Sequence, residues 1–246
     1  MSRKISLADM LFCRQCISCG EMLPLFYEDE FCHECIKTVK KLDNNDIVLA
    51  DVLKAKSIYI YDGALRKALT NFKFNNNAQA GRHMANEMAK LALKDNDFMD
   101  VDYVVNVPNG KYATNRLYNQ SMFLAKTLSR KCKLKFLPNA LKKKQGIKSQ
   151  LKCKTRSERI DNIKSAFYAT KGINLKEKSI LIVDDILTTG STLNECAKVL
   201  KKAGAEKIYA LTAARTPLVI KPIQIKLIDA DIVFRKKPTV HYKFKH

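Results

Sequence analysis

Two adjacent carboxylates, Asp184 and Asp185, stand just before a run of small residues that is rich in hydroxyl groups: Thr188, Thr189, Gly190, Ser191 and Thr192. The backbone N–H groups of such a turn can close around a phosphate, and the hydroxyls add further donors. The carboxylates cannot bind that phosphate, but they can bind sugar hydroxyls or a divalent cation beside it. The combination therefore predicts a ligand that carries both features, such as a ribose 5-phosphate.

The residues around this segment predict the elements that would position it. Residues 180–183 are all apolar, which indicates a strand covered on both faces, as in the parallel sheet of an α/β domain. A helix is predicted to start at the turn, so its positive end would face the phosphate. Ligands of such sheets bind at the carboxyl ends of the strands. The alternative interpretation is an Asp-capped turn whose Thr residues cap a helix without binding any ligand.

The chain before this segment alternates between strand and helix patterns. Strands are predicted at 57–61 and 103–107, and helices at 64–74, 79–93 and 121–131. This alternation predicts a mainly parallel sheet flanked by helices. The loop after Pro108 leaves a carboxyl end as well, so Asn109, Gly110 and Lys111 would face the same ligand.

Two polar residues follow that loop. Arg116 offers a planar fork of donors for phosphate oxygens. Asn119 could contact the ligand or cap the next helix, and its position favours the cap.

A second group of reactive side chains lies near the start of the chain. Two Cys-x-x-Cys pairs are separated by a short loop, a spacing that predicts a tetrahedral structural zinc site formed by Cys16, Cys19, Cys32 and Cys35. Gly20 suits a turn that needs positive φ. Either Cys13 or His33 could be a spare or substitute ligand, and a reduced segment without metal is the alternative. The scattered thiols are interpreted as ordinary interior or surface residues: Cys132, Cys153 and Cys196.

Composition limits the classes of protein that remain. A hydrophobic fraction of 46% is sufficient for a core, and the formal net charge of +21 favours nucleic acid or anionic membrane surfaces as partners, or reflects a Lys-rich surface without any partner. No stretch reaches the roughly 18 apolar residues that a membrane span requires. The first four residues are followed by no apolar segment of the signal-peptide type. We therefore expect no stable membrane insertion and a cytoplasmic location.

The segment from 180 to 192 resembles the motif with which type I phosphoribosyltransferases bind 5-phosphoribosyl 1-diphosphate (PRPP). Combined with the cysteine pairs, the chain resembles the ComF family of bacterial competence proteins over roughly residues 10–215. The further matches to that family are Tyr61, Gly63, Leu65, Arg66, Lys73, Val107, Pro108, Arg116, Asn119, Gln120, Gln150, Glu158, Arg159, Asn162, Ala166, Phe167 and the Ala203–Gly204–Ala205 run. Leu117 replaces a glycine of the family pattern, and the chain continues past the usual end near Arg215.

The resemblance implies a domain organisation and a set of ligand contacts. It implies a zinc-ribbon module at 1–45, a type I phosphoribosyltransferase-like domain at 46–215 and a basic extension at 216–246. It also implies PRPP bound with Mg²⁺: residues 188–192 would hold the 5-phosphate, Asp184 and Asp185 the ribose hydroxyls, and residues 109–111 with Arg116 the pyrophosphate.

The resemblance leaves the function partly open. It implies a role in DNA uptake, with single-stranded DNA and uptake proteins as partners and with phosphoribosyl transfer as a further activity. The alternatives are a non-catalytic module that handles single-stranded DNA, and a regulator of nucleotide metabolism that senses PRPP. The extension is either a basic arm for nucleic acid or a β-ribbon that packs on the zinc module.

Overall fold

A computed structural model describes residues 14–42, 46–109, 119–144 and 166–217. In chain order, its strands are β1 (Asp46–Leu49), β2 (Val52–Ile60), β3 (Tyr103–Asn106), β4 (Leu141–Lys143), β5 (Phe167–Ala169), β6 (Ser179–Leu187) and β7 (Lys207–Arg215). Five of them form one sheet in the order β1-β2-β7-β6-β3, and β4 pairs with β5 in a separate two-stranded sheet. The predicted strands after residue 217 lie outside the described residues.

The five-stranded sheet is mainly parallel, as the sequence predicted. β1 runs antiparallel to β2, and every other neighbouring pair in this sheet is parallel. The sequence did not predict β1, because its side chains alternate between exposed and half-buried and Val48 is 93% exposed. β2 also begins earlier than the predicted residue 57. Charged Lys54 and Lys56 interrupt its apolar pattern, and both form ion pairs with Asp95.

The helices within the described residues are α1 (His33–Ile36), α2 (Gly63–Phe74), α3 (Ala78–Ala92), α4 (Asn96–Met99), α5 (Gln120–Cys132) and α6 (Ser191–Lys202). The predicted helices at 64–74, 79–93 and 121–131 correspond to α2, α3 and α5. Side chains before each of these helices accept a backbone N–H at its start: Asp62 from Gly63, Asn77 from Ala80, and Asn119 from Met122. Such caps satisfy donors that the helix itself leaves unpaired.

Side chains of β6 alternate between two separate cores. Leu181 and Val183 pack into one core together with residues of α2, α3 and α5. Ile180 and Ile182 pack into the other with residues of α6 and of the β4–β5 pair. All four side chains are fully buried, which confirms that the apolar strand is covered on both faces. None of the helices that the structure describes combines the length and apolar character needed to cross a bilayer.

The cysteine-containing residues 14–42 share the first of these cores. Ile17 and Phe31 are fully buried in the same cluster as Leu69 and Phe72 of α2. A segment this short cannot bury enough apolar surface by itself. Its apolar residues are therefore covered by helices of the main domain.

Candidate functional site

Asp184 and Asp185 lie inside β6 rather than after it. The sequence predicted a strand that runs up to the carboxylates, whereas β6 continues through them to Leu187. The strand is longer because β7 keeps pairing with it, and Asp184 lies opposite Thr212 in that register. The carboxylates are thus held by a central strand of the sheet.

The carboxylate of Asp184 is enclosed by hydrogen-bond donors. The hydroxyl of Ser121, at the start of α5, donates to Asp184 Oδ1 over 2.6 Å. The backbone N–H of Asp185 donates to the same oxygen over 2.9 Å. Burial, with the neighbouring Asp185 carboxylate as a second cause, nevertheless raises the pKa of Asp184 to about 7. A cation or a ligand hydroxyl at this position would favour its charged form.

Asp185 forms an ion pair with the end of α2. Lys73 Nζ lies 2.8 Å from Asp185 Oδ2, and both side chains are largely buried. The backbone carbonyl of Lys73 accepts a hydrogen bond of 3.3 Å from Gln120 Nε2. Gln120 Oε1 in turn accepts one of 3.3 Å from Asn109 Nδ2. This chain of contacts joins the loop after β3, the start of α5 and the end of α2 beside the two carboxylates.

The turn between β6 and α6 presents small and hydroxyl-bearing residues at the start of a helix. Gly190 precedes α6 with a φ of 77° and has no side chain to cap the helix. Thr189 Oγ1 accepts from the N–H of Ser191 over 3.4 Å. The hydroxyls of Thr189 and Ser191 lie 2.8 Å apart, and Thr188 and Thr189 are exposed. A Cβ on Gly190 would lie 2.3 Å from Leu49 Cδ2, so a side chain here requires Leu49 to move. The N–H groups and hydroxyls of this turn can therefore receive an anion.

The structure tests the other predicted ligand residues unevenly. Asn119 caps α5, accepting from the N–H of Met122 over 3.0 Å, so the favoured capping role is confirmed. Gly110, Lys111 and Arg116 lie outside the described residues. The sequence alone missed Ser121 and the contacts of Gln120. The available signal was the sequence Asn119-Gln120-Ser121, in which polar residues occupy the predicted start of a helix near the ligand.

The four cysteines of the two Cys-x-x-Cys pairs come together. The sulfur atoms all lie within 4.8 Å of one another in this group, which consists of Cys16, Cys19, Cys32 and Cys35. The Sγ atoms of Cys19 and Cys32 are 3.7 Å apart. Four sulfurs at about 2.3 Å from one zinc ion lie about 3.8 Å from one another, so the donor set and its spacing fit that ion. His33 is not part of this group, and Cys13 lies outside the described residues.

The first cysteine pair is built as a tight turn. Gly20 has a φ of 83°, as its position predicted, and its N–H donates to the carbonyl of Cys16 over 3.0 Å. The Nδ2 group of Asn71 on α2 donates to two carbonyls inside this turn, those of Ile17 (3.1 Å) and Ser18 (3.0 Å). Helix α2 thus binds the turn directly.

A cavity of about 1360 Å³ separates residues 28–41 from α3. Tyr59 and His83 line it, and the Tyr59 hydroxyl lies 3.1 Å from His83 Nε2. Burial lowers the pKa of His83, which favours the neutral ring. The cavity is lined neither by the two carboxylates nor by the four cysteines.

A family model, the phosphoribosyl transferase domain, matches residues 120–243, which is half of the chain. The chain therefore belongs to the phosphoribosyl transferase domain family. Competence protein F of Haemophilus influenzae is 29% identical over 206 residues, covering 81% of this chain and 84% of that protein. Competence protein ComFC of Streptococcus pneumoniae is 26% identical over 211 residues, covering 84% and 89%. These relatives confirm the ComF-type resemblance.

Among solved structures, the purine phosphoribosyltransferase from Pyrococcus horikoshii is 21% identical to this chain with a TM-score of 0.36. The similarity covers 54% of this chain and 83% of that one.

Proposed function

We propose that this chain binds PRPP together with Mg²⁺ at the segment from Asp184 to Thr192. The observation that carries the proposal is the pair of carboxylates contacted by Ser121 and Lys73, next to a helix start that follows Gly190 and two exposed threonines. This arrangement offers anion donors and hydroxyl acceptors side by side. A sugar phosphate needs both.

Each part of the ligand has an assigned set of residues in this proposal. Residues 188–192 hold the 5-phosphate, and Asp184 and Asp185 accept hydrogen bonds from the ribose hydroxyls. Asn109, Gly110, Lys111 and Arg116 receive the pyrophosphate. Mg²⁺ prefers oxygen ligands and usually binds through one or two carboxylates plus substrate phosphates, so Asp184 and Asp185 suit its vicinity. When bound, Mg²⁺ would neutralise part of the negative charge on the pyrophosphate oxygens.

The relatives support a cellular role for this binding. Because the chain is similar to competence proteins over most of its length, we place it in natural transformation, where it would work on incoming DNA. The net charge of +21 favours single-stranded DNA as a partner. Phosphoribosyl transfer would require an acceptor that forms a bond to the ribose C1 while the bond from C1 to the pyrophosphate oxygen breaks and pyrophosphate leaves.

The proposal is tested by titrating the purified protein with PRPP in the presence of Mg²⁺ and following the heat of binding. The combined Asp184→Asn and Asp185→Asn variant should bind at least about 100-fold more weakly, because two hydrogen bonds to charged groups are lost. The control combines Glu177→Gln with Glu206→Gln. Both carboxylates are exposed and lie just before the first residues of β6 and β7, at the end of the sheet away from Asp184. Equal affinity of the double Asn variant and the wild type would refute the site.

The positive charge favours a second candidate, a DNA-handling module whose function does not depend on PRPP. In that case, affinity for single-stranded DNA falls steeply with salt and is the same with and without saturating PRPP. A DNA affinity that changes with PRPP supports the first proposal instead. Measuring the DNA affinity over a series of salt concentrations, once with PRPP and once without it, thus distinguishes the two candidates.

We also propose that the four-cysteine cluster holds a structural zinc ion. The four sulfur ligands leave no open position for a substrate. Metal analysis of the native protein should give one zinc ion for each chain. A metal content near zero in protein purified without chelators would refute this assignment.

A further inference from the structure

The last turn of α2 carries three consecutive residues that contact three different parts of the molecule. Asn71 donates to the carbonyls of Ile17 and Ser18 in the first cysteine pair. Phe72 is fully buried in the core. Lys73 forms the 2.8 Å ion pair with Asp185. A single helical turn therefore separates the cysteine cluster from the carboxylate pair.

We propose that Asn71 is a positioning residue, which fixes the last turn of α2 to the cysteine cluster and so sets the position of Lys73 against Asp185. It follows that a metal ion in the cluster and PRPP at the carboxylates stabilise each other. This inference rests on the proposed PRPP function for its ligand, but the contacts that carry it do not.

The side chain of Asn71 is held at both ends of its amide group. Its N–H donors bind the two carbonyls, and its Oδ1 accepts from Asn75 Nδ2 over 3.0 Å. The backbone carbonyl of Asn71 accepts from the N–H groups of Asn75 (2.9 Å) and Asn77 (3.2 Å), which closes the helix. An amide that uses both polar ends has one favoured orientation. A shift of the cysteine turn therefore acts on the helix end itself.

Tight packing around Phe72 passes such a shift on to Lys73. The ring of Phe72 meets that of Phe123 edge to face, with centroids 5.5 Å apart. On its other side, a Cβ on Gly81 would lie 2.3 Å from Phe72 Cε2, so α3 leaves no space there. A closely packed interior has a few discrete arrangements and transmits displacement instead of absorbing it. The turn moves as a unit, and Lys73 moves with it.

Coupling between two binding sites is reciprocal. If the metal ion raises the affinity for PRPP, then PRPP must raise the affinity for the metal ion by the same factor. The affinity of the four-cysteine cluster for its metal ion should therefore depend on whether PRPP is bound at the carboxylates.

The test compares PRPP affinity, measured with Mg²⁺, in Asn71→Asp, Asn71→Ser and Thr70→Ala. Asn71→Asp keeps the size of the side chain but removes both donors, and it should weaken binding at least about fivefold, a typical coupling. Asn71→Ser is too short to reach either carbonyl and adds no charge, so it should also weaken binding. Thr70→Ala changes the exposed neighbour and should match the wild type. In a Lys73→Met background, Asn71→Asp should add no further loss, because the effect passes through Lys73.

Hydrogen exchange of the full-length protein gives a readout that needs no PRPP. Zinc content is measured on each sample, and the variants are compared at equal loading. Asn71→Asp should speed exchange in peptides that cover residues 71–75 and 184–190, whereas Thr70→Ala should not. Faster exchange confined to residues 14–42, or an additive loss with Lys73→Met, would overturn the positioning role. Absence of PRPP binding by the wild type would overturn the proposed function alone, and exchange would then decide the positioning role.

Discussion

The carboxylate segment and the four-cysteine cluster are supported in opposite ways. The residues of the carboxylate segment are neighbours in sequence on a central strand, but the side chains that contact them, Ser121 and Lys73, lie far away in the sequence. Each cysteine pair lies in a local Cys-x-x-Cys segment, but the apolar residues around the cysteines pack with residues of α2 and α3. A local pattern thus identifies the reactive groups in both regions. The surrounding fold determines how they behave.

The largest effect is expected from breaking the cysteine cluster. Cys16→Ser combined with Cys32→Ser should lower the melting temperature by at least about 10 °C, because structural zinc contributes several kcal/mol of folding free energy. Differential scanning calorimetry with metal analysis measures this. Cys132→Ser is the control, since this buried thiol lies outside the cluster. A double variant that melts like the wild type would show that the region needs no metal.

Removing the shared core should affect both regions together. Phe72→Ala should cost about 3–5 kcal/mol of unfolding free energy, since the ring is fully buried against α3 and α5 in the core cluster that also holds Ile17 and Phe31. Urea unfolding followed by circular dichroism should remain a single transition. Phe74→Ala, two residues later and 55% exposed, should cost less than about 1 kcal/mol. A separate early transition in the wild type would mean that residues 14–42 fold independently.

Adding one methyl group at the turn between β6 and α6 distinguishes the effect of close packing on stability from that of backbone strain. Gly190→Ala should cost about 2–3 kcal/mol, because its φ is positive and the new Cβ would lie 2.3 Å from Leu49 Cδ2. Gly172→Ala has a similar φ of 82° with no atom within 4 Å, so it should cost only about 1 kcal/mol. Chemical denaturation of both variants measures the difference. Equal costs would show that Leu49 moves aside freely.

The smallest effect concerns the pH dependence of stability. The folded state raises the pKa of Asp184 from 3.8 to about 7, so its charge destabilises the fold increasingly as the pH rises between those values. Asp184→Asn should therefore raise the unfolding free energy at about pH 8 by about 1–2 kcal/mol, with no gain near pH 4. The gain is below the full linkage value because the residue is partly exposed.

Asp102→Asn gives the opposite sign and serves as the comparison. The N–H of Ser179 and the side chain of Lys178 lower the pKa of Asp102. Its charge therefore stabilises the folded state above its unfolded pKa, and removing it should destabilise the protein at about pH 8. Urea titrations at the two pH values measure both variants. A loss of stability at both positions would contradict the raised pKa of Asp184.

The sequence predicted what depends on short stretches of chain. Local patterns predict the strand before Asp184 and the helices after Asp62 and Asn77. They also predict that the two Cys-x-x-Cys motifs come together. The sequence did not predict the contact between Ser121 and Asp184, which are 63 residues apart and meet only because α5 packs beside β6. The family resemblance identified Lys73 and Gln120 as matching positions. What each of them contacts required the fold.

The exposed strand β1 was missed for a different reason. Its apolar run, residues 47–50, is only four residues long and lies between Asp46 and Asp51, so it is too short for periodicity to indicate a strand. Only the pairing with β2 reveals the strand. Its Leu49 then fills the space next to Gly190, a contact that no local pattern contains.

The position of β7 has a consequence for how the protein is made. β7 is the last strand of the described chain, yet it lies in the middle of the sheet, between β2 and β6. Until residues 207–215 leave the ribosome, β2 and β6 lack the strand that joins them in the sheet, so an edge of each is unpaired and open to misassembly. The cysteines belong to the first half and are complete as a ligand set early in synthesis. The carboxylate segment gains its second neighbouring strand only when β7 has emerged.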